Sequence, residues 1–194
     1  MDRIEKVLTD YVIRKGMVDE ADREIYEYGF TITAEVGLFA LFSLFMALYL
    51  HMFAEGILFF IIFVPLRSYG GGLHLEKYHL CYILSCLTFS GILLVVRYSQ
   101  IPIYFSFITL FLLEAVVYSL YPVENVNREV DKEEDKYFRK KLKWFLVLDI
   151  IIAAICVVLR KDKYILLIAT TFLMIVITMI MGKYKNRKRE MSNL

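Results

Sequence analysis

The sequence predicts an all-α, polytopic membrane protein with about six membrane-embedded helices, preceded by N-terminal amphipathic helices. Two observations support this. Hydrophobic residues make up 59% of the 194 residues, against about 45–50% in soluble domains, and they occur in long blocks rather than at the scattered spacing of a soluble core. Charged residues collect between the blocks. The pattern argues against a soluble globular enzyme, and the same composition excludes intrinsic disorder.

The segment 1–29 is predicted to be amphipathic and cytoplasmic, not membrane-spanning. Charges interrupt it every few positions, so it lacks the apolar core of a signal peptide. Gly16 is the predicted stop of its first helix. Such a segment is typical of an anchor in the headgroup plane, and the alternative is a segment that guides a substrate. Its apolar stripe consists of Ile4, Val7, Leu8, Tyr11 and Val12, at helical spacing.

Six apolar blocks predict one transmembrane bundle over residues 30–182, followed by a basic tail over 183–194. A plain crossing needs about 20 apolar residues. The fifth block is marginal, and the second is short enough to predict a crossing in thinned bilayer or a re-entrant piece. The blocks are Thr31–Leu50, Ala54–Leu66, Leu80–Val96, Ile101–Tyr121, Trp144–Leu159 and Tyr164–Met181.

The distribution of positive charge predicts that both termini lie in the cytoplasm. With six crossings, 19 of the 23 lysines and arginines fall in the cytoplasmic segments, as the positive-inside rule requires. The longest connection, from Val123 to Lys143, is predicted to be a solvated cytoplasmic loop with a basic end that meets anionic lipid. The external basic residues are Arg97, Arg160, Lys161 and Lys163.

The segment from Arg67 to Cys81 contains the residues best suited to chemistry. Three successive glycines, 70–72, end the second block because glycine continues a helix only at a cost. His74 follows them, and Cys81 begins the third block. An imidazole can withdraw the proton of a thiol and leave a nucleophilic thiolate. The segment therefore predicts a cysteine–histidine pair at the cytoplasmic edge of the membrane.

The spacing of this pair places a condition on the local structure. In a continuous helix, seven residues advance by about 10.5 Å, whereas proton transfer needs about 2.6–3.2 Å or one bridging water. We therefore expect that residues 74–81 are not one straight helix, so that His74 folds back towards Cys81 or closes on it when substrate binds.

Other polar residues have simpler interpretations. Cys86 and Cys156 are predicted to be packing residues, and with Cys81 they make an odd number of cysteines with no paired spacing. A metal site from His74, Glu76 and His79 has no supporting motif, so no metal or other cofactor is predicted. Three carboxylates fall inside apolar blocks: Glu35, Glu114 and Asp149. Glu114 and Asp149 either line a polar path or pair with each other, and the alternative is that they are neutral and hydrogen-bonded inside the bundle.

The spacing Arg67-x-x-x-Gly71-Gly72-x-His74, with Cys81 seven residues after the histidine, resembles the accessory gene regulator B family of bacterial membrane endopeptidases in quorum sensing. The amphipathic start, the six blocks and the Tyr121–Asn125 segment before a charged loop also fit, so the resemblance covers nearly the whole chain. One departure is that residues 127–131 are acidic, where many members have a basic loop containing proline.

The resemblance implies an active site and a substrate. Cys81 would be the nucleophile and His74 its base, while Arg67, Gly71 and Gly72 would support the oxyanion or the substrate. The substrate would be a precursor peptide with an amphipathic leader and an acidic tail, cleaved through a thioester and cyclised to a thiolactone or lactone. The family suggests a homodimer in the bacterial cell membrane and no nucleic-acid partner.

Two other functions remain open from the residues alone. The chain could bind a peptide without cutting it, as a transporter or scaffold in which Glu114 and Asp149 line the pathway. It could also be a plain hydrolytic protease that releases a linear acid. Replacement of Cys81 by alanine distinguishes the two classes, because transport would continue without the thiol and acyl transfer would not.

Overall fold

The computed structural model describes residues 2–73, 78–123 and 132–192. The described chain is α-helical and has a short 3-10 turn, Glu20–Asp22, before the second helix. This confirms the predicted all-α class. The helices are α1 Asp2–Arg14, α2 Arg23–Tyr49, α3 Phe53–Gly70, α4 Tyr78–Tyr98, α5 Ile103–Leu120, α6 Lys132–Val158 and α7 Asp162–Ser192.

Five of the described helices are long and apolar enough to cross a membrane: α2, α3, α4, α5 and α7. The helix that carries the second block is therefore longer than the block itself and is among these five. Helix α3 extends from Phe53 to Gly70, because Arg67 and its neighbours continue the helix beyond the apolar residues. Helix α6 carries the fifth block but is not among the five, since charged residues continue into its apolar part.

Three helices extend beyond the hydrophobic blocks that they carry. Helix α2 begins at Arg23, so residues 23–29 are continuous with the helix of the first block. Helix α6 begins at Lys132, so more than half of the predicted loop 123–143 is helical. Helix α7 continues to Ser192, which makes the basic tail a helical extension. In each case the helix continues past the end of the hydrophobic block.

The N-terminal helix α1 folds against the start of α2, and Arg23 makes the connection. Its guanidinium lies 2.7 Å from the Asp10 carboxylate and 2.6 Å from that of Glu20. Helix α1 ends at Arg14, and Gly16 has φ +68°, as predicted for the stop. Val7, Leu8 and Tyr11 remain exposed, which suits a helix that lies at an interface.

Helix α7 is the centre of the bundle. It packs against α3, α4, α5 and α6, and its span is the most buried of the five. One core cluster joins it to α3, α5 and α6 around Phe172 and Ile175. A second cluster joins it to α2, α3 and α4 around Phe59 and Phe89. The ends of α3, α5 and α7 meet the start of α6 at one end of the bundle, which we call the glycine end.

At the opposite end of the bundle, an arginine links the end of α4 to the end of α2. The Arg97 guanidinium, in the last turn of α4, donates a 2.8 Å hydrogen bond to the carbonyl of Leu50. His51 follows in the tight connection to α3 with φ +53°. At the glycine end, Arg67 makes the same type of hydrogen bond, from its guanidinium to a backbone carbonyl.

Candidate functional site

Helix α3 ends in a glycine turn whose backbone requires glycine. Gly70 is the last helical residue and is buried, with Leu142 and Met179 nearest to its missing Cβ position. Gly71 has φ +77° and Gly72 has φ +146°, values that side chains on L-residues disfavour. The predicted break of the helix is therefore confirmed and lies at Gly71.

The glycine turn is enclosed by distant parts of the chain. Gly71 pairs with Val123 in an isolated parallel β-bridge. A Cβ on Gly72 would overlap the Arg67 guanidinium, whose Cζ would lie 2.9 Å away. A Cβ on Gly182 would lie 2.8 Å from the carbonyl carbon of Gly72. Glycine at 72 and 182 thus lets the arginine and the two backbones approach closely, and glycine at 71 and 72 permits the positive φ angles.

Arg67 is the cation inside this turn. Its Nη2 donates a hydrogen bond to the carbonyl of Leu73. Its Nη1 is buried and has no hydrogen-bond partner among the residues that the structure describes. The guanidinium also lies within electrostatic range of the Cys81 thiol. Arg67 therefore holds the turn with one nitrogen and offers another, near a thiol, to an anion or a carbonyl oxygen.

Cys81 lies in the first turn of α4, which begins at Tyr78. The residue is exposed and forms no disulfide, whereas the free cysteines Cys86 and Cys156 are partly buried. His74 lies outside the described residues, so the pairing of His74 with Cys81 stays a prediction. Of the predicted site residues, the structure packs Arg67 against Gly72 and leaves Cys81 within electrostatic range of Arg67.

The segment that follows α5 links the glycine turn to the start of α6. Tyr121 donates a 2.8 Å hydrogen bond to the Asp135 carboxylate, and the Arg139 guanidinium lies 5.2 Å from the centre of the Tyr121 ring. Burial, and then the hydrogen bond to Asp135, raise the pKa of the Tyr121 phenol. The phenol therefore stays a donor, and the segment that ends at Val123 is fixed to the start of α6.

Sequence reasoning missed Val123 and Gly182 as parts of this site. Both contact the turn through backbone atoms from far along the chain, and a backbone contact leaves no hydropathy or spacing signal. Position does offer one signal, because Gly182 is the only glycine after Gly91. A lone glycine within a long apolar helix indicates close approach of another backbone.

A carboxyl pair lies within the bundle between α5 and α6. Glu114 is 5% exposed and Asp149 is 2% exposed. Each has one buried oxygen with no hydrogen-bond partner within the described chain, and the two groups are close enough to interact electrostatically. This confirms the expectation that both carboxylates are inside the bundle, and it places them as neighbours.

The carboxyl pair predicts a difference between amide and alanine replacement. We expect Glu114→Gln to keep or raise the thermal unfolding midpoint, because the amide removes like-charge repulsion and offers a donor to Asp149. We expect Glu114→Ala to lower it by about 4 °C or more, since it leaves a cavity and costs at least about 1–2 kcal/mol. Circular dichroism of the purified protein in detergent measures both. An equal loss in the two variants would show that the charge of Glu114 is itself required.

Within residues 2–73, 78–123 and 132–192, no group of three His, Cys, Asp or Glu side chains is placed to hold an ion. The alternative set of His74, Glu76 and His79 lies outside the described residues or, for His79, outside the described side chains.

Comparison with known proteins identifies one match. The family model described as Accessory gene regulator B matches residues 5–179, which is most of the chain and includes the glycine turn and Cys81. None of the curated proteins and none of the solved structures matches significantly.

Proposed function

The chain belongs to the accessory gene regulator B family, and from that premise we propose that it is a membrane cysteine endopeptidase which cleaves a quorum-sensing precursor peptide. The family itself indicates a role in processing the accessory gene regulator autoinducer. The observation that carries the proposal is the buried Arg67 guanidinium. One of its nitrogens has no hydrogen-bond partner within the described residues, and the guanidinium lies beside a two-glycine turn and within electrostatic range of the Cys81 thiol.

The proposed first step is formation of an acyl-enzyme. His74 takes the proton of the Cys81 thiol, and the sulfur attacks the carbonyl carbon before the C-terminal tail of the precursor. The C–N bond then breaks, and the amine of the tail leaves with the proton that His74 holds. The product is a thioester between Cys81 and the shortened precursor.

The proposed second step releases the peptide as a ring. An internal cysteine or serine of the precursor attacks the thioester carbonyl, and the Cys81 sulfur leaves and regains a proton. Exchange of one thioester for another is nearly balanced in energy, so the enzyme mainly bends the precursor and excludes water. Attack by water instead would release a linear acid and make the protein a plain hydrolase.

Arg67 and the glycine turn suit the stabilisation of the oxyanion. Attack on a carbonyl places negative charge on its oxygen, and fixed donors aimed at that oxygen lower the barrier. Nη1 of Arg67 is a charged donor that is buried against the turn and has no hydrogen-bond partner in the described chain, and we propose that it donates to this oxygen. We propose the backbone N–H groups of Gly71 and Gly72 as further donors.

The charges at the glycine end suit a precursor with an acidic tail. The first turn of α6 is acidic, and a basic run over Arg139–Lys143 follows it. The C-terminal part of α7 is also basic. Within the run of α6, Arg139 lies over the Tyr121 ring, Lys141 lies over Tyr137, and Lys143 lies over Tyr118. We propose that this end faces the cytoplasm, in accord with the positive-inside rule. Steering of an acidic peptide and attraction to anionic lipid are both expected there.

Intact-mass spectrometry tests the proposed function. The wild-type protein in lipid is mixed with the precursor peptide encoded beside it and quenched in acid. We expect the protein mass to increase by that of the tail-less linear precursor minus one water, because the thioester adds only the acyl group. The released ring should likewise be one water lighter than the linear acid. A linear acid alone would assign plain hydrolysis. A peptide that binds without cleavage would replace the proposal with a transporter or scaffold.

A further inference from the structure

The last helix touches the glycine turn through Gly182, which lies beyond the residues that the family model matches. A Cβ at position 182 would lie 2.8 Å from the carbonyl carbon of Gly72, 3.0 Å from its oxygen and 3.0 Å from the nitrogen of Leu73. All three are backbone atoms, so no change of side-chain rotamer relieves the contact. Any side chain at 182 must therefore displace either the turn or α7.

The turn has little room to move without disturbing Arg67. Its first residue, Gly71, is paired with Val123. Gly72 lies directly against the Arg67 guanidinium, and Leu73 accepts a hydrogen bond from Arg67 through its carbonyl. A displacement of the Gly72–Leu73 peptide therefore moves the acceptor that orients Arg67 or separates Gly71 from Val123.

We propose that Gly182 is a positioning residue, which admits the Gly72–Leu73 peptide against α7 and thereby fixes the Arg67 guanidinium relative to the Cys81 thiol. The consequence for peptide cleavage rests on the proposed function. The reactivity of Cys81 does not, since it is measurable with a small reagent. A misplacement of about 1 Å lowers a catalysed rate by as much as about 100-fold.

Alkylation by iodoacetamide tests this placement in the full-length protein. The modified fraction of Cys81 is followed by peptide mass spectrometry at neutral pH, because the rate of alkylation depends on the charges placed around the sulfur. We expect Gly182→Ala to lower the rate constant about three- to tenfold. Gly91→Ala is the matched control, since it makes the same change within α4 and an added Cβ meets nothing within 4 Å. It should leave the rate constant unchanged.

A double-variant cycle separates positioning from general destabilisation. If Gly182 acts through Arg67, then Gly182→Ala combined with Arg67→Ala should be alkylated no more slowly than Arg67→Ala alone. Full additivity of the two effects would overturn the proposal, and so would equal rates for Gly182→Ala and wild type. In peptide cleavage, Gly182→Ala should lower kcat about 10–100-fold and change KM less than about twofold.

The role of Gly182 can be tested even if wild type does not cleave the precursor or the Gly182→Ala variant does not fold. If wild type does not cleave the precursor, the proposed function fails, but the alkylation cycle still decides the role of Gly182. If Gly182→Ala does not fold, hydrogen exchange of wild type decides instead. The amides of residues 71–73 should then exchange as slowly as those in the buried last turn of α3. Exchange at the rate of an open loop would overturn the proposal.

Discussion

Replacing Cys81 by alanine is expected to lower the rate of precursor cleavage at least about 10³-fold, since removal of a nucleophile leaves only the binding and oxyanion contributions to catalysis. The protein mass should also no longer increase on mixing with the precursor. Cys81 is exposed in the first turn of α4, so alanine removes few packing contacts. The unfolding midpoint should therefore stay within about 2 °C of wild type.

Two controls assign this effect to the thiol of Cys81. Cys86→Ala makes the same change in the same helix, at a cysteine that is also free, and should retain wild-type cleavage. Cys81→Ser keeps the size of the side chain but replaces the thiol by a weakly acidic hydroxyl, so it should bind the peptide and cleave it very slowly. Tail removal at wild-type rate by Cys81→Ala would discard Cys81 as the nucleophile and the thioester with it.

The helices were predictable from hydropathy, but several of their ends were not. A run of apolar residues reports where lipid or core surrounds a helix, whereas a helix ends where its backbone hydrogen bonding stops. Arg67, Ser68 and Tyr69 are too polar to extend the second block, yet they continue α3 to the first residue that cannot remain helical. The same reasoning explains the early start of α6 and the long C-terminal part of α7.

The candidate site was predictable only where its residues are neighbours in sequence. The spacing of Arg67, the glycines and Cys81 marks a local motif, and within it the structure packs Arg67 against Gly72. Val123 and Gly182 reach the same place through the tertiary packing of α5 and α7. Their contribution is a backbone position, which no residue type encodes by itself. The burial of Glu114 beside Asp149 likewise depends on how α5 and α6 are rotated.

Replacing Arg67 by alanine is expected to lower kcat for precursor cleavage about 10²–10³-fold, the loss typical of one oxyanion donor. The KM should change little, because the oxyanion exists in the transition state and not in the bound substrate. Arg67→Lys keeps the charge but cannot reach Leu73 and the oxyanion together, since lysine lacks the forked geometry of arginine. Its kcat should therefore lie between those of wild type and Arg67→Ala.

Arg97→Ala is the matched control for the structural part of this effect. Arg97 donates to the carbonyl of Leu50 at the far end of the bundle, as Arg67 donates to the carbonyl of Leu73 in the glycine turn. Loss of either hydrogen bond should lower stability by about 1–3 kcal/mol, so the two alanine variants should unfold at similar temperatures. Only the Arg67 variant should lose kcat. If the two variants instead lose kcat equally, then Arg67 serves as a brace for the turn, and the oxyanion donors must be sought among the backbone N–H groups of Gly71 and Gly72.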